Sequence, residues 1–304
     1  MKAISVCGGL KVSQYVIGFM RFKNKTVEQA EDFIQKALEC GINCIDNADI
    51  YGGGECEKLL GRVFEKRPSL REKLVVQTKC GICRGFYDLS KEHILRSVDT
   101  SLGRMNIMYI DILLLHRPDA LMDYKEVADA LKTLFFNGKV HYFGVSNFSP
   151  IQIDLLQKEL PFKLWFNQIQ FSVVHCQSID ESVHFNTTHE TSLVRDGNVL
   201  DYCALHDIQV QAWSPLQVDF VKGTFINNPE YKKLNEKLCE LSQKYDVTPH
   251  EIALSWILRH PSHIQVVTGT TNPEHLVNEV SAFSFELTRK EWYELYLSTG
   301  KPLP

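Results

Sequence analysis

The chain has 304 residues, 44% of them hydrophobic and 23% charged, with a formal net charge of -4. That balance belongs to an ordinary globular protein, and its basic clusters, such as Lys232 with Lys233, are too short to be an electrostatic footprint for nucleic acid. The N-terminal apolar run is too short for a signal peptide and no stretch could span a bilayer, so a cytoplasmic protein without membrane partners is expected. Nine cysteines, an odd number, fit reduced thiols better than a disulfide framework. The sequons at Asn24, Asn147 and Asn186 are then accidental.

The opening segment offers two β-prone runs around Gly8-Gly9, the second being Tyr15-Val16-Ile17-Gly18-Phe19. From Thr26 the period becomes helical: Val27, Ala30, Phe33, Ile34, Ala37 and Leu38 form one stripe, with Gln29 completing a capping box and Gly41 as the stop. Ile42, Cys44 and Ile45 then make a short apolar strand that ends on Asp46, and Tyr51 follows in a loop with Gly52, Gly53 and Gly54. A carboxylate at the end of a buried strand, five residues before a tyrosine, is costly for mere packing and marks the start of a site.

The same grammar repeats without a linker. Strands are expected at Leu74–Lys79, Tyr109–His116, Val140–Val145, Leu164–Gln170, Ile208–Trp213 and Ile264–Thr268. Between them Ser90, Asp123, Ser149-Pro150, Asn228-Pro229, Thr248-Pro249 and Asn272-Pro273 read as helix starts. Strands that are apolar on both faces and alternate with amphipathic helices argue a parallel sheet. Eight such units predict an α/β fold, a (β/α)8 TIM barrel with an N-terminal β-hairpin and an extra C-terminal helix, as one domain over 1–304. A doubly wound dinucleotide fold would need a Gly-x-Gly-x-x-Gly turn that neither glycine cluster supplies.

In such a barrel the C-terminal strand ends share one face. Here they read Asp46, Lys79, His116, Ser146-Asn147, Gln168 with Gln170, Trp213-Ser214 and Thr268, so an acid, a lysine, a histidine and a tyrosine meet at one rim. At these residues the chain resembles the aldo-keto reductase superfamily, in its bacterial-type oxidoreductase branch. The likeness rests on Asp46-x-Ala-Asp-x-Tyr51-Gly, Lys79-Cys-Gly, Leu-Leu-Leu-His116-Arg-Pro and Gly-Val-Ser146-Asn147-Phe, and runs on through Ala212-Trp213-Ser214-Pro215-Leu216 and Asn272-Pro273-Glu274-His275-Leu276.

The resemblance implies that Tyr51 is the general acid, Lys79 and Asp46 its supporting pair, and His116 the residue that orients a substrate carbonyl. Reduction of a carbonyl builds negative charge on oxygen, and a phenol is normally too weak an acid to meet it; a neighbouring ammonium would lower its pKa. The resemblance further assigns Ser146, Asn147 and Gln168 to the nicotinamide carboxamide and Trp213 to the nicotinamide face. It assigns the loop from Ser214 through Pro215 and Leu216 to Gly223, and the helix start from Asn272 to His275, to the cofactor's phosphates, and counts Thr268, Gly269 and Thr270 among the cofactor-binding residues. It implies an NAD(P)H-dependent oxidoreductase acting on a small aldehyde, ketone or aldose, working as a monomer or weak oligomer. The alternative is a cofactor-binding regulatory or channel-associated subunit.

Met20, Arg21 and Phe86 are expected pocket walls, and no metal is expected. NADP is the family's default cofactor, with NAD possible because no Lys or Arg follows the last strand until Arg289; His275 or Lys222 is the expected substitute cation. Cys80-Gly81-Ile82-Cys83 has the spacing of a redox pair but lies after a barrel strand, so its thiols are expected to be small loop residues. The polar segment from His175 to Gly197 is expected to overhang the site.

Overall fold

The computed structural model describes residues 3–6, 9–219 and 221–304. Strands β1 (Ala3–Val6) and β2 (Leu10–Ser13) pair antiparallel as the expected hairpin; Cys7 and Gly8 lie outside the described residues. The barrel strands are β3 (Tyr15–Gly18), β4 (Cys44–Asp46), β5 (Val75–Cys80), β6 (Ile110–Leu115), β7 (Val140–Ser146), β8 (Leu164–Gln170) and β9 (Gln209–Trp213). A short antiparallel pair, β10 (Gln217–Asp219) with β11 (Gly223–Thr224), precedes the last barrel strand, β12 (Gln265–Thr268). The eight close in the order β12-β3-β4-β5-β6-β7-β8-β9, with Val267 level with both Val16 and Trp213. Every residue of β5 and β6 is buried, because a covering helix layer leaves parallel strands no wet face.

The helix starts follow local chemistry. Thr26 with Gln29, Ser149 with Gln152 and Thr248 with Glu251 each form a reciprocal capping box, so the first-turn N–H groups that have no intrahelical partner are satisfied. Asn228-Pro229 opens a 3-10 turn, Pro229–Tyr231, before the helix Lys232–Tyr245. The C-terminal helix Arg289–Ser298 is locked by Trp292, which stacks on Trp256 at 4.6 Å while each indole N–H donates to the other's carbonyl.

One expectation fails. The segment from His175 to Gly197 does not overhang the site: it contains the helix Gln177–Val183, and its Glu181 is buried and accepts from the backbone N–H groups of Arg195, Asp196 and Asn198. That carboxylate ties the segment down on itself, and none of it lines the cavity described next.

Candidate active site

The C-terminal strand ends open into a cavity of about 620 Å³ lined by Asp46, Tyr51, His116, Ser146, Asn147, Gln168 and Trp213, continuing past Ser214–Gln217 to Thr268, Gly269, Thr270 and His275. Its floor is a charge relay of short contacts. Lys79 reaches from β5 with its amine fully buried and donates to Asp46 Oδ2 at 2.6 Å, to the Asn47 carbonyl at 3.0 Å and to the Tyr51 hydroxyl at 3.1 Å. Asp46 is equally deep, and its other oxygen accepts from Gln77 at 2.5 Å and Gln168 at 3.1 Å. A buried carboxylate is tolerable only when so satisfied.

Burial by itself would lower the Lys79 amine, but Asp46 and Tyr51 outweigh it and hold the group above its ordinary value. The lysine is therefore charged at neutral pH. For Tyr51 the balance differs from the expectation: Lys79 does pull the phenol down, yet burial is the larger effect and Asp46 adds to it, so the phenol sits above its ordinary value. The hydroxyl is therefore protonated at neutral pH and holds its proton more tightly than a free phenol does. His116 faces Tyr51 edge-on at 5.9 Å; burial first, then Lys79 and Arg117, push its imidazole down to about 2. It is neutral, and its Nδ1 is buried without a hydrogen-bond partner.

Beyond the relay, Ser146 Oγ donates to the Gln168 carbonyl at 2.8 Å and accepts from Asn147 Nδ2 at 2.9 Å, while Asn147 Oδ1 accepts from Trp213 Nε1 at 3.1 Å. Asn147 and Ser214 hold left-handed backbones, φ 61° and 51°, which turn these side chains across the barrel mouth. This set of amide and hydroxyl groups beside an aromatic ring fits a nicotinamide carboxamide and ring. Gln168 lines the cavity too, and both protons of its amide go to Asp46 and Gln211, so its Oε1 is the atom left to face a cofactor.

Two expected residues stand apart. Phe86 is 61% exposed at the tip of the loop after β5, where Ile82 provides the cavity wall instead. Asn272 does not line the cavity; it caps the helix Pro273–Val280 by accepting from the Glu274 N–H. Met20 and Arg21 do line it, and Arg21 lies against Gly269, its guanidinium within 4 Å of where a Cβ would stand there. Lys222 is instead paired with Glu230 at 2.7 Å on the surface. Gly52 and Gly54 have φ of 60° and 93°, and a Cβ on either would strike Lys23 or Arg104. They are required by the tight turn that carries Tyr51 back over Lys79.

Sequence reasoning missed the amides beneath the relay: Gln211 exchanges hydrogen bonds with Gln77 and also donates to Gln265, all fully buried inside the barrel. The signal was present as single polar residues within Val75-Val76-Gln77, Val210-Gln211-Ala212 and Gln265-Val266-Val267. It also missed Asp49, which is pushed up to about 7 by burial and then by Glu57, against Arg104. The folded state therefore holds this proton more tightly than the unfolded chain, whose aspartate titrates near 3.9, and stability is lost as pH rises from about 4 to 7. Asp49→Asn, a neutral isostere, should match the wild type near pH 4 and exceed it at pH 8 by up to about 4 kcal/mol. Thermal melts at the two pH values check this, and a gap that does not change with pH would overturn it.

The family model and the relatives that match this chain place it among the nicotinamide-dependent oxidoreductases. The aldo/keto reductase family model matches residues 15–296, and the chain belongs to that family. It is 34% identical over 298 residues to oxidoreductase YdhF of Escherichia coli, covering 94% of this chain and 93% of the relative. It is 33% identical to a 6-dehydroglucose reductase of Agrobacterium fabrum, over 99% of each chain. The crystal structure of the thermostable aldo-keto reductase Tm1743 superposes with a TM-score of 0.78 over 98% of this chain and all of that one, at 21% identity, a likeness of fold. Among the described residues no helix is long and apolar enough to cross a membrane.

Proposed function

We propose that residues 1–304 act as one barrel unit that reduces a small aldehyde, ketone or sugar carbonyl, with Tyr51 donating the proton. The observation that carries this reading is Lys79 bridging Asp46 and Tyr51 at the floor of a cavity whose rim bears His116. Ser146, Asn147 and Trp213 would hold the nicotinamide, and residues 214–217 with 268–270 the phosphate-bearing remainder. When bound, the cofactor supplies the hydride to the carbonyl carbon.

The protein's part is positional and electrostatic. Neutral His116 offers the carbonyl oxygen a hydrogen bond without surrendering a proton, and so fixes its direction. As charge grows on that oxygen, the Tyr51 hydroxyl transfers its proton, and the Lys79 ammonium stabilises the phenolate left behind. Asp46 keeps Lys79 charged and in place; both are positioning residues. Similarity to a 6-dehydroglucose reductase supports an oxidised sugar as the substrate class. A carbonyl panel including keto-sugars, followed by cofactor oxidation, tests this: turnover of none of them, with cofactor still bound, would sink the enzyme reading in favour of a regulatory subunit.

NADPH is the cofactor proposed. Arg21, lying on Gly269, supplies a guanidinium at the turn after β12, where the sequence carries no Lys or Arg, and His275 lines the cavity beside it. A 2′-phosphate is gripped by such cations. Arg21→Ala should therefore reduce kcat/KM for NADPH by about tenfold or more, roughly the 1.5–3 kcal/mol of a charged hydrogen bond, and leave NADH little changed. Equal kcat/KM for both cofactors in the wild type would mean that no dedicated 2′-phosphate site exists.

A further inference from the structure

The loop that follows β5 brings together three side chains of which the catalytic reading makes no use. Cys83 lies in that loop, Asp88 at its end, and His93 in the first turn of the helix Lys91–Met105. One donor atom from each falls within 4.8 Å of the other two. We propose that Cys83, Asp88 and His93 bind a borderline-soft divalent cation of the zinc class, with water as the fourth ligand.

The Cys83–His93 pair already has the spacing such an ion demands. Cys83 Sγ is 3.8 Å from His93 Nε2; a tetrahedral centre with Zn–S near 2.3 Å and Zn–N near 2.0 Å sets those atoms about 3.6 Å apart. Asp88 uses Oδ1 to accept from the Ser90 N–H at 2.9 Å, and its Oδ2 lies 3.6 Å from His93 Nδ1, across the ring from the nitrogen that faces Cys83, so Asp88 must shift toward Nε2 to join the same ion. All three side chains are partly buried, deep enough to be held and open enough for an ion to enter.

The loop is also braced in the required shape. Cys83 N–H donates to the Phe86 carbonyl and Asp88 N–H to the Gly81 carbonyl, while Ile82 and Tyr87 form an isolated antiparallel bridge. Ser90 caps the helix by accepting from the His93 N–H, which fixes where the imidazole starts. His93 is held meanwhile by Ser97 Oγ, 3.2 Å from Nε2, and by Arg96 Nη2, 3.3 Å from Nδ1, and an ion on Nε2 would displace the serine contact.

Charge and ligand type select the ion. A thiolate and a carboxylate together neutralise a divalent cation, and a sulfur, nitrogen and oxygen set excludes magnesium and calcium, which take oxygen ligands. Burial and Asp88 hold the Cys83 thiol above its ordinary value, so it is not a free nucleophile; coordination would expel its proton to solvent, one per ion bound. Cys80, the other half of the Cys-x-x-Cys spacing, is buried in the core on β5 and takes no part. Ile82, between them, lines the catalytic cavity, so an ion bound here would stiffen one wall of it.

Cobalt(II), a spectroscopic stand-in for zinc, tests the site in the full-length protein without reference to catalysis. Titration should saturate at one equivalent with a thiolate-to-cobalt charge-transfer band in the near ultraviolet. Cys83→Ser should abolish the band, and His93→Gln and Asp88→Asn should each weaken binding at least tenfold, while metal-free melting curves stay at wild type. Zinc should displace the cobalt stoichiometrically. Absence of saturable binding, or a charge-transfer band that persists in Cys83→Ser, would overturn the proposal.

Discussion

Replacing Tyr51 with phenylalanine is expected to lower kcat by about 10² to 10⁴, the usual worth of a positioned proton donor, or roughly 3–5 kcal/mol of barrier. The substitution removes one oxygen and little else. Lys79 keeps its bonds to Asp46 and to the Asn47 carbonyl, so the relay below the missing hydroxyl stays assembled. The groups that face the cofactor, Ser146, Asn147 and Trp213, are bonded among themselves and do not use the phenol. Cofactor affinity, read by fluorescence titration, should therefore be unchanged while steady-state turnover collapses. Turnover within a fewfold of wild type would show that another group donates the proton.

The second large effect is on Lys79. Lys79→Met leaves Asp46, 2% exposed, with only the amides of Gln77 and Gln168 for compensation. Stripping one partner from a buried pair costs about 3–5 kcal/mol, which lowers the melting temperature by several degrees in a chain of this size. Turnover should fall as well, because nothing then stabilises the phenolate. The double variant Asp46→Asn, Lys79→Met separates the two consequences: removing both charges should restore much of the stability but none of the activity. A single variant that melts with the wild type, or a double variant that regains turnover, would contradict the charge balance described here.

These expectations use residues that were legible before any coordinates. Asp46, Lys79 and His116 are polar residues terminating apolar runs, and the helix caps at Thr26, Ser149, Thr248 and Asn272 are short-range patterns whose hydrogen bonds span two or three residues. The alternation of strands and helices belongs to the same kind of information, since burial on both faces of a parallel strand appears directly as an unbroken apolar run. What could not be read was where each polar group spends its hydrogen bonds. Gln168 lines the cavity and also supports Asp46, a second duty set by Gln77 and Gln211, which arrive from strands 91 residues before it and 43 after it.

Other outcomes had the same origin. Arg21 lines the cavity as expected, and closure of the barrel, which sets β3 beside β12, also lays its guanidinium on Gly269. Phe86 looked like a pocket wall because it is a large aromatic near the rim, but the bridge between Ile82 and Tyr87 turns the loop so that Ile82 faces in. The position of the Tyr51 phenol above its ordinary value depends on how completely its surroundings exclude water, a quantity with no local signature. By itself the sequence determined the barrel, its punctuation and the identity of the four polar residues at its rim, because periodicity and capping are local. Only the tertiary structure decided which of those groups touch, which are already spent and which keep a proton, because contacts across a closed barrel join residues far apart in the chain and desolvation is a property of the whole enclosure.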